Sequence, residues 1–166
     1  MFNVNDKVVY AAYGVCNISA VESRDFGGGS VEYYVLRPVS GSSNTFYVPT
    51  SGSGLESKMR KVISREEAEE LIREMPDEPL IWIDNEIQRR EAYKKIIDSG
   101  DRRELVKLIK TLYLHRKELV GKHKKLRSTD ERFLAEAENM LYDEFAYALG
   151  IPREEVISYI RSHVSE

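Results

Sequence analysis

Cysteine is almost missing from this chain. Cys16 stands alone, so no internal disulfide can form and no two-cysteine metal motif exists, which suits a reducing cytoplasm. Long apolar runs are missing too: none approaches the roughly 18 residues that a membrane span needs, and the Met-Phe-Asn-Val start has no basic or apolar leader region. A cytoplasmic protein without a membrane role is expected. Charge of one sign is lacking as well, since 25 Lys and Arg against 28 Asp and Glu leave a net charge of -3 over 166 residues. That balance excludes a polyanion binder working by bulk charge, so any nucleic-acid contact has to be local. Catalytic signatures are equally scarce. His115 and His123 have no Cys partner and no HExxH context, and Gly27-Gly28-Gly29 is followed neither by a helix nor by a Gly-Lys-Ser/Thr ending. Cys16, between Val15 and Asn17, reads as a small buried apolar residue, and Glu66-Glu67 and Glu69-Glu70 read as a solvated helix start. No catalytic residue, metal or cofactor is expected, and the chain does not read as an enzyme.

What is present divides sharply into two parts. The first fifty residues carry most of the glycine and short runs of β-branched and aromatic residues: Lys7 to Tyr10, Gly14 to Val21, Val31 to Arg37 and Thr45 to Pro49. Gly27-Gly28-Gly29-Ser30 and Ser40-Gly41-Ser42-Ser43-Asn44 supply the turns between them. So few short strands bury enough area only by curling, which predicts a small SH3-like or Tudor-like barrel over residues 1–57. No glycine occurs between 55 and 99, and apolar residues then recur at helical spacing, so residues 58–166 are expected to form an all-α bundle of five helices. The fold class is therefore α+β.

The helix signals are specific. Ser64 and Glu67 make a capping box for a helix from Arg65 to Met75, which Pro76 and Pro79 end. A second helix is expected to start near Pro79 and run to Asp98, stopped by Ser99-Gly100. Asp101 and Glu104 cap a third, with Leu105, Leu108, Ile109, Leu112 and Tyr113 as its apolar stripe. Ser128 and Glu131 repeat the box for a fourth, which Gly150 ends, and Pro152 opens a last helix with Val156, Ile157 and Ile160 pointing inward.

Charge is concentrated locally. Residues 101–127 carry a net +7 and residues 128–166 a net -6, with Lys122, Lys124, Lys125 and Arg127 as the densest basic stretch. Such arms either neutralise each other or expose their connection to a phosphate backbone. Trp82, the single tryptophan, has two readings: a core anchor, or an apolar wedge that enters a minor groove at an unstacked step. On one continuous helix, Arg89, Arg90 and Lys94 would fall on its side and could grip phosphates.

The opening Phe2-Asn3-Val4-Asn5-Asp6-Lys7-Val8-Val9-Tyr10 with Gly14, the strand Glu32-Tyr33-Tyr34-Val35-Leu36, Val48-Pro49, and Ser99-Gly100-Asp101 before the Leu105 helix resemble, in order and spacing, the CarD/CdnL family of bacterial transcription regulators. The resemblance spans nearly the whole chain. It implies a Tudor-like first domain, shared with the transcription-repair coupling factor, that binds the RNA polymerase β subunit. It also implies a helical second domain that touches promoter DNA at the upstream edge of the bubble, modulating open-complex formation or stability without catalysis. Carried over by position, Arg24, Tyr47 and Pro49 fall at the polymerase interface, Tyr47 replacing the Arg or Met of some members. Trp82, Arg89, Arg90, Lys94, Lys122, Lys124 and Lys125 are the candidate DNA contacts. Counting back from Ser99, however, the family's wedge tryptophan falls at Glu86, and a basic DNA contact of some members falls at Glu131. The expected protein is a monomer that binds promoter DNA weakly and without strong sequence preference. The alternative is a protein–protein adaptor whose helices have no direct DNA role.

Overall fold

Alternating apolar residues and glycine-rich turns shape residues 7–61 into an antiparallel sheet of five strands. In the computed structural model, which describes residues 2–10, 13–52 and 54–164, these are β1 (Lys7–Tyr10), β2 (Val15–Asp25), β3 (Ser30–Pro38), β4 (Phe46–Pro49) and β5 (Met59–Lys61), ordered β4-β3-β2-β1-β5. The β2–β3 turn forms as its sequence predicts: Asp25 Oδ1 accepts from the amides of Gly27 (2.8 Å) and Gly29 (3.3 Å), and both glycines adopt positive φ. Val8, Cys16, Ile18, Tyr34, Leu36, Val48 and Met59 share one core. Val48 and Met59 come from the two end strands, so the sheet wraps around its interior, in keeping with a Tudor-like start to an α+β chain.

The chain divides into two units, Met1–Val62 and Ile63–Glu166, rather than at the expected 57/58. The difference is β5. A single helical turn, α1 (Leu55–Lys58), leads into Met59–Lys61, whose residues pair with Val8–Tyr10 of β1 and send Met59 into the sheet's core. Three residues reading Met-Arg-Lys are too short to display the two-residue period by which a strand is recognised.

The second unit holds α2 (Arg65–Glu74), a 3-10 turn (Met75–Asp77), α3 (Glu86–Ser99), α4 (Arg102–Gly121), α5 (Ser128–Leu149), a 3-10 turn (Arg153–Glu155) and α6 (Val156–Val164). Ser64 caps α2 through the Glu67 amide (3.1 Å), and Asp101 caps α4 through the Glu104 amide (3.1 Å). Gly100 and Gly150 end α3 and α5 in the left-handed conformation. Several expectations are corrected. The second helix begins at Glu86, capped by Asn85, not near Pro79. Ser128 is already the first residue of α5, so no side chain caps that helix. Pro152 introduces the 3-10 turn before α6, and Tyr113 and Ile157 are exposed. Among the described residues no helix is long and apolar enough to cross a membrane.

Two acidic residues, Glu144 and Asp130, lie inside this apolar bundle. Glu144 is 1% exposed; its carboxylate takes Arg102 Nε and Nη2 (2.8 and 2.6 Å) and the Ile63 amide (3.0 Å), joining α5 to the first turn of α4 and to the lead-in of α2. Glu144→Ala leaves a half-buried guanidinium and an amide without their acceptor, and should cost about 3 to 5 kcal/mol in urea unfolding. In the sheet, burial pushes the Cys16 thiol up from 9.0 to about 11. The folded state keeps that proton while the unfolded chain loses it. The stabilisation is therefore complete below pH 9, and unfolding midpoints should fall as pH rises from there through about 11, a slope that Cys16→Ala reduces.

Candidate functional site

Between the first 3-10 turn and α3 the chain runs irregularly, held down on α4. The Ile81 amide donates to Thr111 Oγ1 (3.0 Å), and the Tyr93 hydroxyl donates to the Ile81 carbonyl (3.1 Å). Lys110 Nζ donates to the carbonyls of Pro76 (2.8 Å) and Glu78 (2.7 Å). Trp82 sits in this segment, half-buried. Its indole stacks on His115, with centroids 3.8 Å apart, and its Nε1 donates to Asp84 Oδ1 (2.9 Å). The Arg89 guanidinium lies 4.4 Å from the ring centroid.

Arg89 itself is 4% exposed. Its Nε and Nη2 form a two-pronged pair with Asp130 (3.1 and 3.0 Å), and Nη1 donates to the carbonyls of Ile83 (2.9 Å) and Asp84 (3.3 Å). Two expectations fall here. Trp82 is not on a helix with Arg89, Arg90 and Lys94, so their helical spacing from it has no meaning. Arg89 has turned into the protein, with its donors committed, and cannot grip a phosphate.

The structure brings a different set to Trp82. Lys124, Lys125 and Arg127, from the α4–α5 connection, line a depression of about 330 Å3 with Trp82, His115, Asp84 and Glu86. The connection turns back because His123 takes positive φ (57°) and the Lys124 amide returns to the Leu119 carbonyl (2.8 Å). Lys122 stays on the outside of this turn, 3.4 Å from Glu118. Arg90 and Lys94 line a separate shallow depression with Ile87 and Phe133, and Arg90 pairs with Glu86 (3.4 Å). Glu86 also holds Arg127 (3.0 Å), and Glu131 holds Arg116 (3.7 Å). The acidic side chains at the positions where family members carry tryptophan and a base thus serve as local counter-ions. His115 and Asp130 were invisible as site residues, because nothing in the sequence links them to Trp82. Arg127 carried a signal as the last cation of its cluster.

On the sheet, Arg24, Tyr47 and Pro49 share one face. Cross-strand register sets Pro49 beside Tyr33 and Tyr47 beside Val35, while Tyr34 and Val48 point to the opposite, core-facing side. The Arg24 guanidinium lies 5.2 Å from the Tyr47 ring and pairs with Glu22 (2.9 Å). Sequence reasoning missed two members. Phe26, 62% exposed, packs edge-on against Tyr33 (5.2 Å) and Tyr47 (5.7 Å), so the patch is an exposed aromatic cluster rimmed by charge. Its signal was a phenylalanine beside a glycine-rich hairpin tip, where packing within a small sheet does not require one.

Removing Asp130 isolates a buried guanidinium and frees the indole above it. Asp130→Ala should lose about 3 to 5 kcal/mol of stability in urea. The emission of Trp82, the chain's single tryptophan, should shift to longer wavelength as its clamp loosens.

Comparison with known proteins places the chain in a family. The family model described as CarD-like/TRCF RID domain matches residues 2–63, and that described as CarD, C-terminal domain matches residues 77–161. A relative from Bacillus subtilis (strain 168), named "Putative transcription factor YdeB", is 27% identical over 163 residues, covering 96% of this chain and 99% of the relative. The two matched regions follow the two structural units, one the aromatic-faced sheet and the other the helices that hold Trp82, and the chain belongs to the CarD-like family of transcription regulators.

Proposed function

We propose that the aromatic face of the sheet, with Arg24, Tyr47, Pro49, Phe26 and Tyr33, binds the β subunit of RNA polymerase. The depression lined by Trp82, Lys124, Lys125 and Arg127 then meets promoter DNA at the upstream edge of the bubble, with Lys122 nearby, and the contact alters how readily the open complex forms or how long it lasts. The observation that carries the DNA half is the return of the α4–α5 connection, which places two lysines and an arginine beside the only tryptophan. Phosphates favour clustered cations, and an apolar ring edge beside them suits an unstacked base step. Asp84 and Glu86 line the same depression, so the field is weak and non-specific. Polymerase binding supplies the local concentration that free affinity does not.

A second reading has its own support. Lys122, Arg116 and Arg127 all have acidic partners, which suits a helical unit that neutralises itself and serves only as an adaptor scaffold. Salt separates the two. If Lys124 and Lys125 contact phosphates, replacing both with Gln should reduce the salt slope of promoter-complex affinity by about two units, one per lost contact. An unchanged slope establishes the adaptor. For the sheet, Tyr47→Ala with Phe26→Ser should abolish capture of the isolated β subunit while leaving the unfolding midpoint near that of the parent. Retained capture would move the polymerase contact elsewhere.

A further inference from the structure

The helical unit contains a cavity of about 430 Å3 that none of these contacts uses. It opens between the first 3-10 turn, α4, α5 and α6, and Val106, Leu141 and Ile160 give it aliphatic walls. Its size falls in the range of roughly 300 to 1,000 Å3 typical of small-ligand sites. Two features set it apart from a packing defect. Ile157 (42% exposed) and Tyr113 (38%) line it yet remain wet, although the residues just before them, Val156 and Leu112, are buried in the core. Tyr142 lines it at only 7% exposure, and its hydroxyl has no hydrogen-bond partner among the described residues. The hydroxyl oxygen itself stays accessible, so it can donate into the cavity. Burial pushes this phenol up to about 12, so it remains a proton donor at neutral pH.

Charge then selects the ligand. The lining carries Lys110, Arg116 and Arg161 against a single acidic residue, Glu138. Lys110 is committed to the carbonyls of Pro76 and Glu78, whereas Arg116 makes looser contacts, a 3.7 Å pair with Glu131 and a 5.9 Å approach to the Tyr113 ring. An apolar chamber with an accessible hydroxyl donor on its wall and cationic side chains in its lining fits a molecule with an apolar body and an anionic head. We propose that this cavity binds a medium-chain alkyl carboxylate, its chain against Val106, Leu141 and Ile160 and its head group accepting from the Tyr142 hydroxyl and Arg116. Aliphatic side chains from Val106, Ile109, Leu141, Ile157, Ile160 and Val164 outnumber the two tyrosine rings in the lining, which favours a flexible alkyl body.

Titration of the full chain with decanoate, kept below its micelle concentration and followed by calorimetry, tests the proposal. Saturable binding at one site is expected. Tyr142→Phe and Arg116→Gln should each weaken it at least fivefold with the melting temperature unchanged, and decyltrimethylammonium should not bind. Ile157→Trp, at an exposed position on the rim, should obstruct entry. If Arg116→Gln lowers the melting temperature, Tyr142→Phe, which keeps the ring packing, decides the matter alone. Heat that fails to saturate, equal binding of decyltrimethylammonium, or unaltered affinity in Tyr142→Phe would each overturn the assignment.

Discussion

A guanidinium withdrawn from water needs an acceptor for nearly every N–H it carries, and the surroundings of Trp82 are arranged around meeting that demand for Arg89. Asp130 in the first turn of α5 takes two donors, and the carbonyls of Ile83 and Asp84 take another. A carbonyl turned toward a side chain is lost to a helical ladder, which explains why the chain stays irregular until Asn85 caps α3. The same guanidinium covers one face of the indole while His115 covers ring surface as well. Trp82 is therefore held, not mobile, and what it can offer a partner is an oriented edge.

Electrostatics in the helical unit follow one pattern. The sequence holds a basic arm and an acidic arm in succession, and folding pairs some of their charges, Arg102 with Glu144 and Arg116 with Glu131, while Arg127 pairs with Glu86 of α3. Lys124 and Lys125, beyond the end of α4, escape this cancellation because the turn at His123 carries them away from the helix face. Their charges can add to a contact with DNA when another surface has already brought protein and DNA together, and the aromatic face of the sheet has the composition for such a docking role. Exposed pairs of this kind are worth only about 0 to 1 kcal/mol each, so their effect lies in where cations remain available and not in stability.

The two units take their stability from different sources. In the sheet, a small core around Cys16 and Tyr34 is enclosed because both end strands contribute to it. In the helices, a larger apolar core admits two ionic links, at Glu144 and Asp130, that join elements distant in sequence. Apolar contacts tolerate many arrangements, whereas a two-pronged carboxylate–guanidinium pair accepts few. Those links thus specify how α5 meets α4 and α3.

Periodicity, caps and turn residues act within a few residues of themselves, so they were legible directly: four strands, a turn over Gly27 to Ser30, the caps at Ser64 and Asp101, the stops at Gly100 and Gly150, and the α+β division all follow from local chemistry. The Phe2–Tyr10 and Ser99–Asp101 segments likewise carried the family. The partners of Trp82, the inward turn of Arg89, the burial of Glu144, the joining of Phe26 to Tyr47 and the addition of β5 belong to the tertiary structure alone. Each depends on which distant residue arrives nearby, because a charged side chain leaves water only where a partner from elsewhere in the chain compensates it, and an aromatic ring joins a cluster only where the fold brings another ring to it.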